Sequence, residues 1–112
     1  MAEKKEISLN SKKNVSLIGF DELDESEQEI MKKLIANYIK KIEDRINYDE
    51  LKIKLKIHQK GKMFMHEVIG DLYVTKGMAL NAGFAHKNPY KAIAQVMNKL
   101  INSITHKKRD KK

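Results

Sequence analysis

Three lysines alternate with aliphatic residues in the segment 51–58, which reads LKIKLKIH. Alternation with a period of two is typical of a β-strand, because successive side chains point to opposite faces of the sheet. The pattern places Lys52, Lys54 and Lys56 on one face and the aliphatic side chains on the other. Like charges spaced at about 6.6 Å along a strand repel one another. This face is therefore either ordinary solvated surface or a surface that binds an anion.

The other residues that could carry out chemistry form no catalytic or metal-binding pattern. His58 and His66 flank one predicted hairpin, but no third ligand stands at the spacing of a metal motif. The chain has no cysteine, which excludes disulfides, thiolate zinc sites and a cysteine nucleophile. It also contains neither a nucleophile paired with a base nor a glycine-rich phosphate loop. The sequence thus predicts no enzyme activity, no metal and no cofactor.

The charge balance favours an anionic partner. The 112 residues include 23 Lys plus Arg and 15 Asp plus Glu, a net charge of +8. A surplus of this size is typical of proteins that bind nucleic acid or another anionic surface. Six acids and no base fall within residues 21–29 (DELDESEQE), so the rest of the chain is more basic than the net charge suggests. No apolar run approaches the roughly 20 residues of a membrane span, and we expect a cytoplasmic protein.

Hydrophobic periodicity predicts the elements that position the lysines. Residues 14–20 form the first predicted strand, and apolar residues spaced by three and four between Ile30 and Ile46 predict a helix. Ser26 and Glu29 form a capping-box pattern at the start of that helix.

Three more strands and a second helix are predicted after the first helix. The strands are segments 51–58, 64–74 and 78–84; turns lie at Gly61 and at 75–77, and Gly70 is interpreted as a bulge. Asn88 is a suitable N-cap and Pro89 fits the first helical position of the last helix.

The predicted fold is α+β, a single domain with the order β-α-β-β-β-α. Packing both helices on one face of a four-stranded sheet buries their apolar stripes and leaves the other face bare. On the last strand, that bare face would carry small residues only: Ala79, Asn81, Gly83 and Ala85. The predicted boundaries are a flexible N-terminal segment at 1–13, a folded domain at 14–106 and a basic tail at 107–112.

The segment 86–108, HKNPYKAIAQVMNKLINSITHKK, resembles a stretch of the ribosome hibernation-promoting factor family, which includes ribosome-associated inhibitor A. In this family a short polar cap precedes a tyrosine, an Ala-Ile pair and later a Lys-Leu pair. The corresponding residues here are Tyr90, Ala92, Ile93, Lys99 and Leu100. The order of elements resembles the family over nearly the whole chain. Asn88 and Pro89 depart from the family pattern, in which position 88 is often acidic, but either cap starts a helix.

The resemblance implies a function without catalysis. Members of the family bind the small ribosomal subunit where messenger and transfer RNA would otherwise lie, and they block translation in stressed or resting cells. The implied roles are ribosome binding, RNA binding and translation regulation during ribosome hibernation. The implied partners are the small subunit and its ribosomal RNA, with the protein a monomer when free and not attached to a membrane.

The residues expected to contact RNA are basic, because phosphate contacts give affinity with little sequence readout. They are Lys52, Lys54, Lys56, Lys60 and Lys62 on the sheet and hairpin, and Lys91, Lys99, Lys107, Lys108 and Arg109 on the last helix and tail. The basic terminus is equally typical of a solubilising tail or of favourable charge at a helix C-terminus.

Two other functions fit the same pattern. A sheet backed by two helices also serves general double-stranded RNA-binding modules. Alternatively, the lysines meet an acidic protein partner.

Overall fold

The computed structural model of the protein describes residues 6–8, 14–75 and 77–109. Its elements are β1 (Glu6–Ser8), β2 (Asn14–Ile18), a 3₁₀ turn (Phe20–Glu22), α1 (Glu25–Glu43), β3 (Tyr48–Lys60), β4 (Met63–Val74), β5 (Met78–His86) and α2 (Pro89–Arg109). The α+β class and the predicted order β-α-β-β-β-α are confirmed for β2 to α2.

The strands form one mixed sheet in the order β1-β2-β3-β4-β5. β2 and β3 are parallel and are joined through α1, since parallel strands require a crossover connection. All other neighbouring pairs are antiparallel. The edge strand β1 was not predicted and lies within the segment 1–13, which was expected to be flexible. Three residues are too few to reveal a period of two in the sequence.

Both helices pack on one face of the sheet around a single core. Leu51, Ile53 and Leu55 of β3 are no more than 1% exposed, and they share this core with Ile35 of α1 and Ile93 of α2. Burying each such side chain contributes about 1.5–3 kcal/mol to folding. Helix α2 lies over β4 and β5 and contacts α1. The side of the sheet opposite the helices is called the open face below.

Helix α1 begins two residues earlier than the predicted capping box. Asp24 is the N-cap: its carboxylate accepts a hydrogen bond from the Glu27 N–H at 2.7 Å, and the Glu27 carboxylate accepts one from the Asp24 N–H at 3.1 Å. The predicted pair, Ser26 with Glu29, is wrong because both residues already lie inside the helix. Leu23, which precedes the cap, is buried in the core.

The interpretation of Gly70 as a bulge is also wrong. The register continues without a shift through Gly70, which is opposite Ile53 on β3 and Ala82 on β5. A β-carbon at this position would lie 2.9 Å from Val96 Cγ1 and 3.1 Å from Leu100 Cδ1 of α2. Glycine at this position therefore allows α2 to approach the sheet closely. The residues in this contact are distant from Gly70 in the sequence.

The structure contains the predicted turns and the predicted start of the second helix. Gly61 and Gly77 have φ of 61° and 82°, the left-handed region that glycine adopts without strain. The Asn88 side-chain oxygen accepts hydrogen bonds from the N–H groups of Tyr90 (2.9 Å) and Lys91 (3.4 Å), so it caps α2. Helix α2 continues to residue 109, into the segment predicted as a basic tail. Neither helix, over the residues described, combines the length and apolar character needed to cross a membrane.

Candidate nucleic-acid interface

The lysines of β3 stand in a row on the open face. Lys54 and Lys56 are exposed, and the Lys52 side chain is 38% exposed. Lys60 follows in the same alternation at the end of the strand, and Lys62 lies in the turn after it. The structure therefore brings the five predicted sheet and hairpin lysines together along one strand and its turn.

Three carboxylates share the open face with this row. Glu67 on β4 is directly opposite Lys56, and Asp71 on β4 is directly opposite Lys52. Glu50 lies on β3 itself, with its Oε2 atom 3.8 Å from Lys52 Nζ. The open face is therefore less basic than the alternation on β3 alone suggests. The two acids on β4 were missed because pairing them with particular lysines requires the strand register, which β4's mixed alternation does not define.

Glu67 pairs with a histidine on the open face. His58 Nε2 lies 3.0 Å from Glu67 Oε1, and both side chains are partly exposed. His58 therefore stands beside a carboxylate within the row, between Lys56 and Lys60. In the parts of the chain that the structure describes, no group of three His, Asp or Glu could hold a metal ion.

On β5 the open face consists of small residues. Ala79, Asn81, Gly83 and Ala85 are all exposed, as the alternation predicted. Between this row and the lysines, β4 presents the half-buried Ile69 to the same face. Because these side chains on β5 are small, an RNA backbone can approach the sheet closely here.

The hairpin of β3 and β4 extends beyond the end of β5. The last pair between β4 and β5 is His66 with His86, so residues 58–65 continue as two strands only. At its tip, Met63 and Phe64 are 50% and 55% exposed, next to the turn that carries Lys62. An exposed aromatic ring beside lysines suits contact with nucleic-acid bases. Phe64 was predicted only as the first residue of a strand.

The remaining predicted basic residues lie elsewhere. Lys99 of α2 donates a hydrogen bond to the Gly83 carbonyl at 3.1 Å, and its ammonium lies 5.2 Å from the centroid of the Phe84 ring. Lys91 lines a groove beside β5. These two lysines are therefore at the edge of the sheet, separated from the β3 row by β4 and β5. The last turn of α2 contains Lys107, Lys108 and Arg109, whose side chains lie outside the described part of the structure.

The acidic segment lies in the helix layer. Burial raises the pKa of the Tyr90 phenol, and the nearby charges of Glu27 and Asp24 raise it further. Tyr90 is in the first turn of α2, and Glu27 is in the first turn of α1, so the two helices begin close to each other. The acids of residues 21–29 are thus placed at the N-terminal end of the helix layer, and the lysine row is on the opposite side of the sheet.

The tyrosines do not form a stacking platform on one face. Tyr48 is fully buried, and its hydroxyl donates a hydrogen bond to Glu43 at 3.1 Å. Tyr38 and Tyr90 are half-buried, whereas Tyr73 is 37% exposed on the open face.

Comparison with known proteins gives no further information on function. No protein-family model matches the sequence, and a search of curated proteins finds no significant match.

Proposed function

We propose that the protein is a ribosome-associated translation inhibitor, a cytoplasmic hibernation factor that binds the ribosomal RNA of the small subunit. It would sterically block the binding of messenger and transfer RNA. The observation that carries the proposal is the open face, where Lys54 and Lys56 are exposed on a sheet braced from behind by both helices. The resemblance of segment 86–108 to the hibernation-promoting factor family supports the ribosome as the site of binding.

The attraction in this proposal is electrostatic. Lysine ammonium groups on the open face contact phosphates of folded RNA and release counterions, which gives affinity that falls as salt rises. Inhibition follows from occupancy alone, because the bound protein fills space that the RNA substrates need. No bond is made or broken, so no catalytic group is required.

The carboxylates on the open face make binding depend on where the phosphates of the RNA lie. A phosphate placed against Glu67 or Asp71 is repelled, whereas one placed between them and over Lys54 is attracted. Only an RNA whose phosphates match this pattern binds well. A folded ribosomal RNA presents phosphates in fixed positions, and proteins recognise structured RNA largely by shape.

Sedimentation with purified small subunits at rising salt tests the proposal directly. We expect the protein to pellet with the subunits at low salt, to dissociate as salt rises, and to inhibit translation in a reconstituted system. Absence from the ribosomal fraction at low salt would refute ribosome binding. Binding without inhibition would refute the role as an inhibitor.

A general double-stranded RNA-binding module is the second candidate, and the lysine row beside the low β5 strand is compatible with it. Free RNA duplex is the discriminating competitor. A hibernation factor should stay on the subunits in the presence of excess duplex, whereas a general module should transfer to the duplex. Association that survives nuclease digestion of the RNA would instead indicate an acidic protein partner.

A further inference from the structure

A groove of about 330 Å³ lies between the edge strand β5 and helix α2. Strand β5 contributes two aromatic side chains to it, and α2 contributes a stripe spaced by three and four residues. The lining residues are Phe84, His86, Lys91, Ala94, Gln95 and Asn98. The groove is on the helix side of β5, so it is distinct from the open face.

The strand side of the groove carries two aromatic rings. The rings of Phe84 and His86 are nearly parallel, inclined by only 19°, with their centroids 6.3 Å apart. The backbone N–H of Asn88 donates a hydrogen bond to His86 Nδ1 at 2.9 Å, which holds the imidazole in place. Lys99 lies against the Phe84 ring. Planar bases stack on aromatic and histidine side chains of this kind.

The helix side of the groove supplies polar groups. Ala94 is small and leaves space opposite the rings, while Gln95 and Asn98 are exposed amides that carry both donors and acceptors. Base edges need both kinds of group. Lys91 is exposed at the groove and provides a positive charge for a phosphate. The groove thus combines stacking surface, amide groups and a cation.

An added peptide strand fits the edge of β5 less well. Lys99 Nζ already bonds to the Gly83 carbonyl, which an incoming strand would need for its own N–H. Covering an edge in this manner prevents pairing with other strands. A planar ligand that stacks in the groove leaves this bond intact.

We propose that the groove between β5 and α2 binds one unstacked base of single-stranded RNA, with its phosphate near Lys91. The inference rests on the proposed function for RNA as the partner, and it adds a second contact that reads a base. The open face would hold folded RNA by its phosphates, and the groove would hold a nucleotide turned out of the stack.

Nuclear magnetic resonance titration of the full chain tests the groove without ribosomes. The probes are the four ribonucleoside 5′-monophosphates, with ribose 5-phosphate as the matched ligand that lacks a base. We expect the nucleotides to shift amide signals of residues 84–86 and 94–98, and ribose 5-phosphate to leave those signals unchanged. Equal shifts with both, or nucleotide shifts on β3 alone, would overturn the inference.

Variants test whether the amides read the base. Changing Gln95→Ala and Asn98→Ala together should weaken binding of a single-stranded tetranucleotide by about 2- to 10-fold, since each removes hydrogen bonds. Phe84→Leu should weaken it by about 5- to 30-fold through lost stacking, with thermal unfolding checked because Phe84 is half-buried. Asn102→Ala, an exposed site on α2 that does not line the groove, is the control. If all variants bound the tetranucleotide as tightly as the wild type does, the groove would not be the site that binds the base.

Sedimentation and nucleotide titration of the wild-type protein separate the groove from the proposed function. If the wild-type protein pellets with small subunits but nucleotides leave the groove signals unchanged, the groove inference fails and ribosome binding stands. If nucleotides bind in the groove but the protein does not pellet with subunits, the groove binds bases and the ribosomal function fails.

Discussion

The ammonium groups of Lys52, Lys54 and Lys56 are separated from the core by the plane of the sheet. The intervening residues of β3 bury their side chains against the helices, so one face of the strand belongs to the core and the other is exposed. Substitutions on the exposed side of such a strand usually change stability by within about 0.5 kcal/mol each. Binding and folding can therefore be tested independently at these positions.

Replacing the three lysines together by alanine should weaken association with the small subunit by at least about 10-fold while the urea midpoint stays close to wild type. In the matched control, Lys33, Lys40 and Lys41 are changed to alanine. This removes an equal number of positive charges from the exposed side of α1. If the effect came from net charge alone, both variants would lose affinity equally. Equal sedimentation of the β3 variant and wild type would remove the open face from the interface.

Neutralising the carboxylates on the open face should have the opposite effect. With Glu67→Gln and Asp71→Asn, phosphates near Lys56 and Lys52 no longer meet the two opposing carboxylates of β4, so affinity for subunits should rise by about 3- to 10-fold at low salt. The same change should also increase binding to unrelated RNA duplex, because the requirement for shape is relaxed.

Glu25→Gln with Glu29→Gln on α1 is the control for this pair, since both acids are exposed in the helix layer. An equal gain in affinity from the control would indicate long-range attraction alone. Weaker binding of the Glu67 and Asp71 variant would contradict the proposed arrangement of phosphates. The exposed pair of Glu67 with His58 contributes about 0–1 kcal/mol, so its loss should barely change stability.

At the scale of elements, the contact of α2 with β4 depends on Gly70. Gly70→Ala should lower the free energy of unfolding by about 1–3 kcal/mol, because the new methyl group meets Val96 and Leu100. In urea unfolding, the double variant with Val96→Ala should be less destabilised than the sum of the single changes.

Gly83→Ala is the matched control for Gly70→Ala, since its β-carbon would only reach ordinary contact, 3.7 Å from the Val68 carbonyl oxygen. It should change stability by no more than about 0.5 kcal/mol. If both glycine substitutions cost the same, the close approach of α2 would not explain Gly70.

The two helix starts are coupled through Tyr90. Its pKa is raised, so the folded protein holds the phenolic proton more tightly than the unfolded chain does. The resulting stability is present below about pH 10 and is lost as pH rises through the raised pKa. Tyr90→Phe should therefore show a smaller loss of stability above pH 10 than the wild type.

The titration of Tyr90 itself can be followed by tyrosinate absorbance, as the difference between wild type and Tyr90→Phe. Glu27→Gln should lower the pKa of Tyr90 toward its ordinary value, while glutamine still accepts the Asp24 N–H bond. Glu29→Gln should leave it unchanged. A Tyr90 pKa at or below the ordinary value in the wild-type protein would contradict the partial burial of Tyr90 and its nearness to Glu27.

Patterns within short stretches of sequence were sufficient to predict most of the strands and helices. The alternation on β3 and the Asn88 cap depend on neighbours in sequence, and both are found in the structure. The start of α1 was misplaced because two overlapping patterns, at Asp24 and at Ser26, have the same spacing to a glutamate. In the structure the Asp24 cap forms directly after Leu23, which is buried in the core.

The candidate site was predicted only in part for the same reason. The lysine row follows from one strand, whereas the opposing carboxylates require the register of β3 with β4. The groove of Phe84 and His86 requires the position of α2 beside β5. Pairing and packing of distant segments are not encoded in any short window of sequence.

At the scale of the whole molecule, the acidic residues are concentrated at one end of the helix layer. The net charge is +8, yet the six acids of residues 21–29 are at the start of α1, in the helix layer. In the proposed function, an approaching RNA is repelled from that end and attracted to the open face and hairpin. An uneven charge distribution of this kind orients a protein as it meets its partner and speeds association at low salt.

Chemical protection of lysines tests this orientation within one sample. When the protein is bound to small subunits, acetylation of Lys54, Lys56 and Lys62 should be reduced several-fold, because RNA covers the open face and hairpin. Lys33 and Lys40 in the helix layer should react as in the free protein, since they are exposed in the same molecule and face away from the RNA. Mass spectrometry of the bound and free protein measures both groups together. Protection confined to the helix layer would reverse the proposed orientation, and equal protection everywhere would indicate that the protein is enclosed rather than docked by one face.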